Sequence, residues 1–180
     1  IVTTVIISLF LFFGGTVLGF LLYLSARSKY KVVSRITKVI AKVYSRLIAG
    51  TPALVILMLL FYVVFVQIYF DVIIVATVGF VLIFGVFVYG QLELTVKGLD
   101  KGQTEAAYAL GYSRNRTFFR IVLPQAMKMF IPVYSSEIIG LIKATSVVGY
   151  IAVNDLTKMG DIIRSNTYEA FFPLIAVAVI

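Results

Sequence analysis

Glu137 and Lys143 are ionisable side chains inside an otherwise apolar stretch, Met129–Val153, with hydroxyls nearby at Ser136, Thr145 and Ser146. An ionised group at bilayer depth costs at least about 2.5–3.5 kcal/mol, so it ordinarily faces protein or water and marks a working position. Six residues apart on one straight helix, the two point about 120° from each other. A direct pair between them is therefore not expected. The remaining readings are a polar pathway for a solute, an ion pair to another span, or a Glu137 that snorkels to the nearer interface. Serine and threonine also pack helices in lipid, so the hydroxyls have a structural reading too.

Other chemistry is excluded by absence. The chain has no Cys and no His, which removes thiol nucleophiles, disulfides, Ser–His triads and nearly every zinc constellation. No catalytic residue, metal site or resident cofactor is expected. No Gly-Lys-Ser/Thr occurs, so the chain has no Walker A loop to cradle ATP phosphates. Gly14, Gly15 and Gly19 lie in an apolar run and read as helix-packing positions.

The elements that must position these groups follow from composition. Of 180 residues, 61% are hydrophobic and 13% charged, against about 45–50% and about 25% in soluble domains. A soluble enzyme and a nucleic-acid-binding chain are both disfavoured; the net charge of +8 suits a membrane surface instead. A spanning helix needs about 20 apolar residues. The expected fold is all-α and polytopic, one domain over 1–180 with about five spans near 1–26, 47–70, 72–92, 129–153 and 170–180, the last truncated. No run alternates as a barrel strand would. The turn between the second and third spans is expected near Val66–Asp71. Ile1–Leu24 lacks a basic leader and reads as a mature span, not a signal peptide.

Charge sets the orientation. Arg27, Lys29, Lys31, Arg35, Lys38, Lys42 and Arg46 separate the first two spans with no acid among them. Residues 93–128 carry six cations against Glu93, Asp100 and Glu105, whereas Asp155–Glu169 is not basic. The positive-inside rule puts the first two segments in the cytoplasm and the third outside. The first basic run reads as a topology anchor or as a lipid or partner site.

Anchoring does not account for the length of the 93–128 loop, since connections need only a few residues. Thr104–Leu110 is a run of helix formers with Glu105 in its expected first turn, and Gly111 suits a C′ cap. Ser113 can cap a second helix reaching Leu123, where Pro124 should disturb it. Ala106, Ala107 and Ala109 would admit a partner surface closely. A helix of two turns is not stable alone and must dock.

Glu105-Ala106-Ala107, Gly111, Ile121 and Leu123-Pro124 together resemble the EAA loop of ABC importer permeases. Gly102-Gln103, Gln125-Ala126, Gly50-Thr51-Pro52, Pro132, Glu137, Lys143-Ala144-Thr145-Ser146 and Asp155-Leu156 extend the resemblance, toward the polar amino acid permeases. It implies a type I importer fold in which this loop forms the coupling helix. Gly102, Gln103, Glu105, Ala106, Ala107, Ala109, Leu110 and Gly111 would then meet a groove of the cytoplasmic ATPase. Ser136, Glu137, Lys143, Thr145 and Ser146 are the candidate substrate pathway or gate. The implied partners are a second permease copy or homologue, two ABC ATPases that hold ATP and Mg, and an extracellular solute-binding protein or a domain fused ahead of Ile1. Membrane lipid is a further partner, nucleic acid is not, and the implied location is a bacterial cytoplasmic membrane. Three departures stand out. Ala49 takes the place of the family's usual Arg, with Arg46 one turn earlier, and Gly90 and Glu93 replace the usual Glu and Arg before the loop. A secondary transporter or channel subunit using Glu137 and Lys143 for ion coupling is the alternative, but it has no need of a docking helix with this spacing.

Overall fold

The computed structural model describes residues 2–65, 70–151 and 153–179, and those residues form helices joined by short turns. The first apolar run is one helix, α1 (Val2–Ala26), with a wide π turn at Leu11–Gly15. Next come α2 (Lys31–Ala49), α3 (Ala53–Val64) and α4 (Val72–Lys97). The short α5 (Lys101–Ala109) leads to α6 (Arg114–Ile151), whose last turns, Thr145–Ile151, tighten to 3-10 geometry. Then follow α7 (Leu156–Thr167) and α8 (Phe171–Val179). Residues 66–69 of the expected turn at Val66–Asp71 lie outside the described residues; Asp71 caps α4 by accepting from the Ile73 N–H at 2.8 Å.

α4 is the centre of the core. Val75, Ala76, Phe80, Phe84, Val88 and Leu92 are all buried along it. Against it α1 lies so close that a Cβ on Gly19 would stand 2.5 Å from Val88 Cβ and 2.7 Å from the Gly85 carbonyl oxygen. Gly15 and Gly19 are four apart, the small-residue spacing by which backbones approach in lipid. α6 closes a third side through an aromatic layer: Tyr134 lies 5.4 Å from Phe84 and 5.0 Å from Phe130, ring centre to ring centre. Thr16 donates its hydroxyl to the Phe12 carbonyl. Its 2.6 Å contact with the Tyr134 hydroxyl is therefore one in which Tyr134 donates, tying α1 to α6.

Two helix ends differ from expectation. The run Leu47–Phe70 is not one helix: Leu47–Ala49 belong to α2, and the chain turns by 109° at Gly50-Thr51-Pro52 before α3 begins. Pro52 has no N–H and lies in extended backbone at φ −56° and ψ 142°, so it ends one helix and admits the next. Pro124, by contrast, does not end a helix. A π turn at Phe118–Val122 stands ahead of it, and α6 passes through Pro124 without a break to Met129 and beyond.

Candidate functional site: the coupling helix and the cluster beneath it

α5 stands between α4 and α6 at one end of the bundle. Its start is set by Asp100, whose carboxylate accepts from the Gly102 N–H at 2.9 Å. The acid that complements the helix N-terminus is therefore Asp100, and Glu105 lies mid-helix, not in the first turn. Its end is a complete Schellman closure. The Gly111 N–H donates to the Tyr108 carbonyl at 2.9 Å, and the Tyr112 N–H to the Ala107 carbonyl at 3.0 Å. Gly111 carries the φ of +80° that this closure requires. Ser113 then caps α6, accepting from the Arg116 N–H at 3.4 Å.

Burial divides α5 into two faces. Gly102, Gln103, Glu105, Ala106, Ala109 and Leu110 are exposed, with Leu110 at 77%. Ala107 is 1% exposed and faces the body of the chain, where the helix packs on the Phe118–Val122 turn. Its small side chain thus allows α5 to approach its own protein, and it cannot also serve as a contact with an outside groove. Part of the docking that so short a helix needs is supplied internally.

Beneath α5 lies a cluster that motif reading passes over. The Arg27 guanidinium stacks 3.7 Å from the Phe118 ring centre, a cation–π contact. Arg27 donates to the Arg114 carbonyl at 3.2 Å and Arg114 donates to the Arg27 carbonyl at 3.5 Å, so the end of α1 and the start of α6 clasp each other. Burial lowers the Arg27 pKa from its ordinary value, Tyr23 opposes the shift, and the Arg114 charge adds to it. The group stays cationic regardless. A cavity of about 180 Å³ beside the clasp is lined by Arg27, Lys38, Tyr89, Glu93, Lys97 and Arg114, among others. Glu93 pairs with Lys97 at 2.8 Å. Gly90 has no neighbour within 4 Å of where a Cβ would stand. Two signals in the sequence bear on this region: Asp100 followed three residues on by Gln103 is a helix-start pattern, and an arginine ends the first apolar run.

The five intramembrane polar candidates are not one constellation. Thr145 is buried and its hydroxyl donates to the Ile142 carbonyl at 2.7 Å, while Ser146 accepts from the Thr157 hydroxyl of α7 at 3.0 Å. The first bond stays within α6, and the second ties α6 to α7. Ser136 is exposed and donates to the Pro132 carbonyl at 3.1 Å. Glu137 is half-buried and Lys143 exposed, and neither is in an ion pair among the described residues. Lys143 sits in the last turn of the α-helical part of α6, just ahead of the tighter turns Thr145–Ile151.

Comparison with known proteins agrees with this architecture. Residues 15–180 match the family described as binding-protein-dependent transport system inner membrane component. A putative glutamine transport system permease protein of Rickettsia bellii is 32% identical over 166 residues, 91% of this chain and 74% of that protein. A probable amino-acid ABC transporter permease protein of Bacillus subtilis is 31% identical over 178 residues, 98% of this chain and 77% of its own length. The crystal structure of an amino acid ABC transporter superposes with a TM-score of 0.86 at 27% identity, covering 99% of this chain and 82% of that one. The MetNI methionine ABC transporter, at 17% identity and a TM-score of 0.68, shares the fold. The chain belongs to the family of binding-protein-dependent transport system inner membrane components, and its fold is that of a type I ABC importer permease.

Proposed function

We propose that this chain is the permease subunit of an ATP-driven importer that carries a polar amino acid across the cytoplasmic membrane of a bacterium. The observation that carries the reading is α5: a capped nine-residue helix fastened by Ala107, with the other seven of the eight coupling candidates exposed along it and at its C-terminal end. Such a surface suits a helix-in-groove contact, and the ATP and Mg belong to the ATPase that supplies the groove. The amino acid class follows relatives named for glutamine and L-cystine transport. A second permease copy completes the passage, and an extracellular solute-binding protein delivers the solute to it. Ser28–Arg46 and Glu93–Lys128 face the cytoplasm, and Asp155–Glu169 faces out. The test is uptake in proteoliposomes holding the full-length permease, its ATPase and its binding protein: amino acid must accumulate only with ATP, and accumulation without the ATPase would overturn the reading. Because the chain has no cysteine, Ser113→Cys is a clean topology probe, and an impermeant external reagent should leave it unlabelled in intact cells.

Within the membrane, Glu137 and Lys143 remain for the solute pathway, since the hydroxyls of Ser136, Thr145 and Ser146 already have partners. Lys143 offers a cation to the substrate carboxylate, with Glu137 as its counter-charge in the partner permease or toward the substrate ammonium. A hydrogen bond to a charged group contributes about 1.5–3 kcal/mol. Lys143→Met should therefore lower substrate-stimulated ATP hydrolysis and uptake by about tenfold or more while basal hydrolysis and assembly persist. Unchanged uptake kinetics in an assembled complex would remove Lys143 from the pathway.

A further inference from the structure

We propose that α2 is a binding site for anionic phospholipid, with headgroup phosphates held by Lys31, Arg35, Lys38 and Lys42 and acyl chains lying on the apolar arc beside them. At about 100° per residue, the side chains of α2 fall into three sectors. One faces the protein: Ala41 is buried, the Tyr44 hydroxyl donates to the Leu82 carbonyl of α4, and the Ser34 hydroxyl donates to the Ala26 carbonyl at the end of α1. Lys31, Arg35, Lys38, Lys42 and Arg46 fall together in the second sector, with no acid anywhere on the helix. The third carries Val32, Ile36, Val39, Ile40, Val43 and Leu47, all exposed.

Anchored on one sector, the helix leaves a charged arc and an apolar arc side by side. Water suits only the first of these and hydrocarbon only the second. A molecule with both characters in this order is an anionic lipid at the interface. The 109° turn into α3 fits the same placement, because it lays α2 across the direction α3 takes. Lys31, Ser34, Arg35, Lys38, Val39 and Lys42 line a single open groove, so the cations converge on one surface that Val39 joins to the apolar arc. A second copy of the chain on this arc would bring five more cations to a site that has no acid to receive them.

The proposal rests on the chain being a membrane protein, not on which side its basic segments face; vesicles of equal composition in both leaflets keep the two questions separate. The probe is Val39→Cys, labelled with an environment-sensitive fluorophore, in the full-length permease assembled with its ATPase. The vesicles are phosphatidylcholine containing either brominated phosphatidylglycerol or brominated phosphatidylcholine. Brominated phosphatidylglycerol should quench at a mole fraction about fivefold lower, the order expected from a single charge contact at a membrane surface. The preference should vanish when Lys31, Arg35, Lys38 and Lys42 are changed together to Gln, and shrink in the milder pair Lys38→Gln and Lys42→Gln. Lys128→Gln, outside the helix, should leave it intact. Equal quenching by the two lipids would show contact without selection and overturn the proposal. Absence of quenching would mean that protein covers the arc, and would overturn it as well.

Discussion

Gly111→Val lowers ATP-dependent uptake by about tenfold or more at constant permease level, while ATP hydrolysis by the assembled complex continues. The expectation comes from one backbone angle. Gly111 stands at φ +80° with nothing within 4 Å of where its Cβ would be, so the substitution meets no clash and acts on the backbone alone. A β-branched residue held in the left-handed region costs about 1–3 kcal/mol. That is enough to open the Schellman closure and release the Tyr108 and Ala107 carbonyls from their partners. The end of α5 then loses its direction, and the exposed side chains that would enter the ATPase groove are no longer presented together. Gly111→Asn should keep most of the coupling, because Asn tolerates this conformation best after Gly. Leu110→Asp separates strain from docking: at 77% exposure it should leave the isolated permease as stable as before yet uncouple it. Measured together in proteoliposomes, hydrolysis and uptake decide the matter. Full coupling in Gly111→Val and Leu110→Asp at normal expression would remove α5 from the ATPase contact.

Gly111 also shows what kind of feature is legible in a sequence of this sort. A glycine after a run of helix formers, or a serine two residues on, states a local backbone requirement, and both stand where that requirement puts them. The uncharged runs behind α1 and α4 are equally local signals, since length and apolarity suffice. What escaped depends on contacts between distant parts of the chain. Ala107 looks the same as Ala106 and Ala109 in a list of small residues, and only the position of the Phe118–Val122 turn makes it the inward one. Pro124 is a helix breaker by rule, yet the helix runs on past it, with a π turn ahead that no residue type announces. Arg27 reads as one more topology cation until Phe118 and Arg114 are brought to it from the far side of α5. The tightening of the helix just past Lys143, one residue beyond Ala144, is likewise announced by no residue type. The departure at Gly90 gains a physical meaning in the same way: the space where a Cβ would stand is open.

Gly19→Leu should abolish most of the folded permease, and the reason is again a distance. Any Cβ at this position meets Val88 Cβ at 2.5 Å and the Gly85 carbonyl oxygen at 2.7 Å. Neither atom is the movable end of a side chain, so the helices themselves must part. Gly15 one turn earlier is under the same constraint from Phe84. Overpacking a well-filled core costs about 1–3 kcal/mol where side chains can adjust; here adjustment falls on two backbones, and close approach is what holds helices together in lipid. Separating α1 from α4 also loosens the Tyr134–Thr16 link and the aromatic layer behind it. Truncating the neighbour with Val88→Ala should not rescue Gly19→Leu, because the offending Cβ and the Gly85 carbonyl both remain. Gly90→Ala provides the contrast on the same central helix. Its Cβ meets nothing within 4 Å, and alanine is favoured over glycine in a helix by about 0.8–1.0 kcal/mol, so stability should hold or rise. The measurement is the monodisperse fraction of detergent-extracted protein with its thermal midpoint. A Gly19→Leu permease as abundant and as heat-resistant as the parent would mean that α1 and α4 do not pack at this distance in the membrane.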